Sequence, residues 1–398
     1  MSGNLSTNLL HTGDAKFAKR LSGMASIPET LPIYLTSVFA FENASDVDAI
    51  YEKDADGYIY SRIASPNADA VSEILAAADG GDKALVFASG MAAITTAILA
   101  FVSAGDHIIS SPVLYGGVQD FLSNELTRFG IGVTFADILD GDISPYVQAN
   151  TKLVYTETIC NPLMEVPDIA ALAASARERG LTLIVDNTFA TPVVARPLKL
   201  GADAVVYSAT KYLGGHSDIV GGAVVGAASI IDRIKRLQIL YGGIISPHDA
   251  WLLSRSLRTL DLRVRRHSES AAKVAEFLRS HPKAERVFYP GLASSPSHER
   301  AKRQFEGELY GGMLSVDFKG DEKTALSLIG ALKTIALVPS LAGTATTLSW
   351  SARASHRFYS REDRLKLGIT DGQLRFSVGL EDAGDIISEL SSALEACQ

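Results

Sequence analysis

Between residues 68 and 226 the apolar positions switch repeatedly between two spacings. Short, nearly continuous apolar runs at 84–88, 107–110, 132–136, 152–156, 181–185, 204–207 and 222–226 predict buried strands. Between them, stretches of 3.6-residue periodicity at 68–78, 91–102, 118–129 and 169–179 predict helices. Strands and helices in that alternation imply a mainly parallel sheet covered on both faces. Beyond residue 249 the texture changes. A long helical stretch, 249–278, carries Leu252, Leu253, Leu257, Leu260, Leu262 and Val264 with basic residues between them. Strands at 285–289, 312–318, 334–338 and 374–378, with helices at 322–332 and 383–397, then predict a smaller α+β domain. The first sixty residues have weak periodicity, with Pro28, Pro32 and an aromatic-spaced stretch at 34–41. They read as an extended arm with little to bury against itself, expected to pack on a neighbouring subunit. The expected organisation is an arm at 1–62, an α/β domain at 63–255 and an α+β domain at 256–398.

Composition changes this picture little. Of 398 residues, 47% are hydrophobic and 21% charged, an ordinary globular balance. The net charge of −8 and the lack of a basic patch argue against a nucleic-acid partner. The densest basic run, Arg263, Arg265 and Arg266, reads as a solvated helix face. The apolar stretch 91–104 is too short to span a bilayer and contains Thr95 and Thr96, so a buried helix is expected and no membrane contact. Cys160 and Cys397 cannot form a disulfide framework, and the first six residues lack the basic and apolar segments of a signal peptide. Both features fit a cytoplasmic protein. The scattered histidines give no metal-ligand spacing, and neither dinucleotide-binding glycines nor a phosphate-loop lysine is present.

In open α/β sheets ligands gather beyond the carboxyl ends of strands, so the residues there carry the chemical expectation. After 204–207 come Ser208, Thr210 and Lys211, followed by Gly214 and Gly215. A lysine in that place must reach solvent, pair with an acid, or form a Schiff base with an aldehyde. After the other strands stand Gly90-Met91 entering a helix, Tyr115-Gly116-Gly117, Asn161-Pro162, and Asp186 closing an apolar run. Taken singly, each has a plain alternative: a helix entry, a turn, an N-cap, a solvated surface lysine. Five on successive strand ends fit one active site better than five unrelated caps.

Val185-Asp186-Asn187-Thr188 followed by Ser208-Ala209-Thr210-Lys211-Tyr212 resembles the Cys/Met-metabolism enzymes that use pyridoxal 5′-phosphate, the group of methionine γ-lyase, cystathionine γ-lyase and cystathionine γ-synthase. The likeness extends from Tyr60-Ser61-Arg62 to Arg375-Phe376-Ser377, and Ser246-Pro247-His248-Asp249 is nearest the methionine γ-lyase branch. It implies an aspartate-aminotransferase-like (fold type I) α/β fold and a γ-elimination giving 2-oxobutyrate and ammonia; a γ-replacement synthase is the alternative. Canavanine, an O-substituted homoserine, falls within the substrate class. By the same resemblance Lys211 holds the cofactor covalently and Asp186 faces its pyridine nitrogen. Tyr115 stacks on the ring and serves the leaving group. Gly90, Met91, Ser208 and Thr210 hold the phosphate, with Tyr60 and Arg62 of a neighbouring subunit. Arg375, with Asn161 and Ser340, binds the substrate carboxylate. A homotetramer built as a dimer of dimers is implied. This chain departs from methionine γ-lyases at Gly117, where they carry cysteine, and at Gln238 and Ile239, where they carry lysine and aspartate. Thr346, Trp350 and Arg353 differ near the stretch that reads the distal end of the substrate. A rebuilt distal pocket is therefore expected.

Overall fold

A computed structural model describes residues 4–13, 28–52, 54–320, 322–354, 357 and 359–397. The remaining stretches of the arm, 14–27 among them, and the first three residues of the signal-peptide argument lie outside the described residues. Seven strands form the larger sheet: β1 (Lys83–Phe87), β2 (His107–Ser110), β3 (Gly132–Phe135), β4 (Thr151–Glu157), β5 (Thr182–Asp186), β6 (Ala204–Ser208) and β7 (Gly222–Gly226). Their order is β1-β7-β6-β5-β4-β2-β3. From β3 to β6 every pairing is parallel, whereas β7 runs antiparallel to both neighbours. The mainly parallel sheet expected from sequence is present.

The apolar runs are continuous because helices cover both faces. Along β6, Val205 and Tyr207 face Val71, Ile74 and Leu75 of the helix Pro66–Asp79. Ala204 and Val206 face the other way, toward Ile94 and Ile98 of the helix Gly90–Leu99 and Ile231 and Ile234 of Ala228–Tyr241. This is the two-residue period of a strand, read out as two separate cores. The parallel arrangement also aligns the carboxyl ends of β4, β5 and β6, which finish at Glu157, Asp186 and Ser208.

A second sheet has the order β10-β11-β12-β9-β8, with β8 at Ala284–Phe288, β9 at Met313–Phe318, β10 at Ala336–Leu337, β11 at Thr347–Trp350 and β12 at Gln373–Ser377. Leu314, Val316, Leu374 and Phe376 pack against Val274 and Leu278 of Leu260–Ser280 and Leu390 and Leu394 of Ala383–Ala396. This matches the expected α+β character.

Several expectations change. The 249–278 helix is two helices, Pro247–Leu257 and Leu260–Ser280, parted at Thr259 (φ −110°, ψ 9°). Leu257 and Leu260 are both buried, so the apolar spacing runs through the break and hides it. The 118–129 helix contains a π-turn at Phe121–Glu125. The expected strand at 334–338 shrinks to β10, and β11 was not anticipated because its Ser349 is buried. Arg263 is 6% exposed and is not part of a solvated face. The arm partly packs on its own chain: Leu9 and Leu31 are buried against the helix Pro66–Asp79, while Leu35 and Val38 remain exposed. Among the described residues no helix is long and apolar enough to cross a membrane.

Candidate active site

Past β6 the chain closes a tight turn. Lys211 N–H donates to Ser208 O at 3.1 Å, and Gly214 and Gly215 N–H donate to Ala209 O and Lys211 O. The buried guanidinium of Arg263 clamps this turn to the helix beneath, donating to Tyr212 O at 2.8 Å and to Ser256 O at 2.9 Å. Lys211 Nζ points across to the second sheet's domain, where it donates to Ser340 Oγ at 2.9 Å. Burial, and then the nearby Arg375 charge, hold its amine below the ordinary lysine value. The side chain is part-buried, and among the described residues no carboxylate pairs with it. A part-desolvated amine held by a hydroxyl suits covalent chemistry.

One strand over, Asp186 Oδ1 accepts from Thr188 N–H at 2.9 Å, and Oδ2 accepts from Tyr155 Oη at 3.4 Å. Its strand neighbour in register is Glu157, a residue that sequence reasoning passed over. Glu157 Oε1 accepts from Tyr115 N–H at 2.7 Å and Oε2 from Asn161 N–H at 3.1 Å. Burial pushes the Glu157 carboxyl up to about 8, with the Asp186 charge adding to it, and burial also raises Asp186. The Arg375 charge offsets part of the rise at Glu157, and among the described residues neither acid is ion-paired with a lysine or arginine. A strand-end carboxylate was the signal that selected Asp186. The same signal stood at Glu157, masked by the polar residues after it.

Arg375, in the middle of β12, is 5% exposed. Its Nη1 donates to Asn161 Oδ1 at 2.6 Å, while its buried Nε has no protein partner. Burial lowers the guanidinium to about 10. A cation this deeply placed, with a donor left over and no carboxylate bonded to it among the described residues, can take a forked bond from an incoming one.

Gly90 opens the helix Gly90–Leu99. Ser89 Oγ takes the N–H of Ala92, which leaves the first-turn N–H groups of Gly90 and Met91 without a protein acceptor among the described residues. A Cβ on Gly90 would stand 2.7 Å from Ser208 Cβ, so only glycine lets this helix end approach β6. Thr210 Oγ1 accepts from Gly221 N–H at 3.0 Å and donates to Gly221 O at 3.3 Å, which fixes the hydroxyl beside the helix end. Free amides at a helix N-terminus beside two hydroxyls suit a phosphate. The residues present therefore fit pyridoxal phosphate on three counts: an amine with no ion-paired acid among the described residues, a buried strand-end acid at Asp186, and an anion cradle.

Tyr115 caps the helix Gly116–Asp120 and is half exposed. A Cβ at Gly117 would lie 2.8 Å from its ring, so the glycine gives the phenol its place. Tyr60 and Arg62 do not join the cluster within this chain. Arg62 lies over the Tyr60 ring at 5.3 Å and donates to Ile239 O. Ser340 contributes its hydroxyl to Lys211. The residues expected near the distal pocket have partners of their own. Thr346 Oγ1 donates to Glu381 at 2.8 Å and accepts from Gly379 N–H, spending its side chain in the interior. Trp350 is buried in the second domain's core with its indole N–H on Asp371 O, and Arg353 stacks on it while pairing with Glu322. Thr346 and Trp350 are thus tied into the second domain, while the Arg353 side chain stays more than half exposed.

Comparison with known proteins agrees with this geometry. The family model for the Cys/Met metabolism PLP-dependent enzymes matches residues 7–395. An L-methionine γ-lyase of Fusobacterium nucleatum subsp. polymorphum is 40% identical over 98% of each chain. A cystathionine γ-lyase of Bacillus subtilis (strain 168) is 40% identical over 96% of each. A solved Campylobacter jejuni structure, described as an O-acetylhomoserine (thiol)-lyase and carrying N′-pyridoxyl-lysine-5′-monophosphate, superposes with a TM-score of 0.92 at 31% identity, covering 99% of this chain and 100% of that one. The chain is thus a pyridoxal-phosphate-dependent enzyme of the γ-lyase and γ-synthase group, and belongs to the Cys/Met metabolism PLP-dependent enzyme family.

Proposed function

We propose that this enzyme eliminates the Cγ substituent of an L-amino acid, releasing 2-oxobutyrate, ammonia and the protonated leaving group. The substrate class is a cystathionine- or homocysteine-like thioether or thiol, or an O-substituted homoserine such as canavanine. Gly117, Gln238 and Ile239 depart from the methionine γ-lyase pattern, which favours these over methionine itself. One observation carries the proposal: among the described residues neither the buried Arg375 nor the part-buried Lys211 is ion-paired with a carboxylate, the first having a spare donor and the second a bond to a hydroxyl. A substrate with an α-carboxylate, and a cofactor with an aldehyde, answer both.

Gly90 and Met91 amides with the Ser208 and Thr210 hydroxyls would hold the cofactor phosphate, Asp186 its ring nitrogen, and Lys211 its aldehyde carbon. Bound pyridoxal phosphate supplies the electron sink for the charge left when Cα gives up its proton. Arg375, braced by Asn161, orients the substrate carboxylate. Lys211 Nζ takes the Cα proton, delivers it to the electron sink and, neutral again, takes one from Cβ, a role that its lowered basicity suits. Tyr115 Oη donates a proton to the departing heteroatom. Tyr60 and Arg62 would complete the phosphate site of a neighbouring copy from the arm at 1–62, in a tetramer of two active dimers working in the cytoplasm. The arm is followed by a cofactor-binding domain at 63–255 and a C-terminal domain at 256–398.

Screening Cγ-substituted amino acids with the cofactor-loaded enzyme for 2-oxo acid release tests this. Release of 2-oxobutyrate from thioethers or O-substituted homoserines is expected; no release from any of them would overturn it. The thiol-lyase description of the Campylobacter jejuni relative favours one alternative, γ-replacement. In that case an added thiol would suppress 2-oxobutyrate and a new thioether would accumulate.

A further inference from the structure

We propose that Glu157 is a positioning residue that couples the leaving-group end of the active site to its carboxylate-binding end. The proposal rests on the roles given above to Tyr115 and Arg375. Glu157 is 6% exposed and closes β4. Each of its oxygens is committed to a different loop: Oε1 to the main-chain N–H of Tyr115 and Oε2 to that of Asn161. The first loop carries the phenol. The second carries the amide oxygen that accepts from Arg375 Nη1. A single carboxylate thereby sets the backbone from which the phenol swings and the backbone from which Asn161 braces the guanidinium.

Capping alone would need no ionisable group. A serine or asparagine oxygen serves a lone loop N–H at far less desolvation cost than a carboxylate buried beside Asp186. What the carboxyl group offers is two oxygens at a fixed separation on a rigid strand end, each accepting from a different loop's N–H. Movement of either loop is then felt by the other through the same side chain.

Glu157→Gln keeps the shape but turns an amide NH₂ toward one of the two main-chain N–H groups, so one link breaks. In the cofactor-loaded enzyme, hydrogen exchange of peptides spanning Tyr115 and Asn161 should accelerate roughly tenfold or more at those amides, with peptides of β5 and β6 unchanged. With L-cystathionine as the probe substrate, kcat/KM should fall by about 10–100-fold. That loss should shrink to under about threefold when Glu157→Gln is placed in a Tyr115→Phe or Arg375→Ala background, because coupled residues are not additive. Fully additive losses, or unchanged exchange at both amides, would overturn the proposal. Should the Gln variant not fold, Glu157→Asp, which keeps the charge and loses reach, is read against the same criteria. Wild-type turnover in Tyr115→Phe and Arg375→Ala alone would instead sink the roles assigned to those residues, a separate outcome.

Discussion

Lys211 Nζ and Ser340 Oγ meet at 2.9 Å across the boundary between the two sheets' domains. The hydroxyl parks the amine without neutralising it, since a serine neither gives nor takes charge at neutral pH. Lys211→Ala should therefore abolish borohydride-trapped cofactor on the peptide containing residue 211 and reduce turnover by at least ~10³-fold, as expected for loss of the base. Ser340→Ala should retain the cofactor and lose only about tenfold or less. A Lys211→Ala protein that still carries covalent cofactor would contradict the assignment.

Arg375 gives a sharper discrimination. Asn161 holds its Nη1, which leaves the edge bearing the spare Nε for a planar, two-pronged partner, and lysine cannot imitate that edge. Arg375→Lys should raise KM by about 10-fold or more and Arg375→Ala by ~100-fold or more, the usual cost of losing a buried charged partner. Amino-acid amides, which lack the carboxylate, should be poor substrates of the wild type and discriminated far less by the variants. Equal use of acid and amide by the wild type would refute the carboxylate site.

The stability profile should bend in two directions with pH. Burial pushes Asp79 up to about 7, although Tyr207 donates to both its oxygens. The folded chain then keeps a proton that the unfolded chain has shed, so this group's contribution falls as pH rises from about 4 to 7. His267 is the reverse. Burial lowers it to about 4, so between that value and about 6.5 the unfolded chain binds the extra proton and stability rises with pH. Asp79→Asn should thus raise Tm at about pH 8 and gain less at about pH 5. The ceiling is ~4 kcal/mol, offset by the lost charge-assisted bond from Tyr207. A Tm gain independent of pH would rule out this origin.

How much of this was legible in the sequence depended on what each residue's signal was. The parallel sheet was readable because each central strand is apolar on both faces. Asp186 and Lys211 stood out as charges at the ends of such runs. Glu157 was missed although it ends β4 in the same way, because Thr158, Cys160 and Asn161 after it resemble an ordinary loop. Arg263 looked like part of a basic surface run; its carbonyl partners, Tyr212, Leu213 and Ser256, are distant or main-chain groups that no side-chain pattern encodes. Thr346, Trp350 and Arg353 were placed by analogy of position; the interior partners of Thr346 and Trp350, Glu381 and Asp371 O, are distant in the chain and no local pattern encodes them.

The Arg263 clamp makes a last contrast testable within a single residue type. Gly215 and Gly180 both have left-handed backbone, with φ of 69° and 65°. Nothing lies within 4 Å of a Cβ built on Gly180, whereas one on Gly215 would sit 2.0 Å from Arg263 Nη1. Gly180→Ala should cost about 1–2 kcal/mol, the backbone penalty alone. Gly215→Ala adds expulsion of a buried guanidinium from three carbonyls and should cost at least ~2 kcal/mol more. Because those carbonyls belong in part to the turn that follows Lys211, Gly215→Ala should also release cofactor faster on dilution, and Gly180→Ala should not. Equal unfolding midpoints in urea for the two variants would mean that the guanidinium moves aside freely, and the turn would then owe its shape to its own hydrogen bonds.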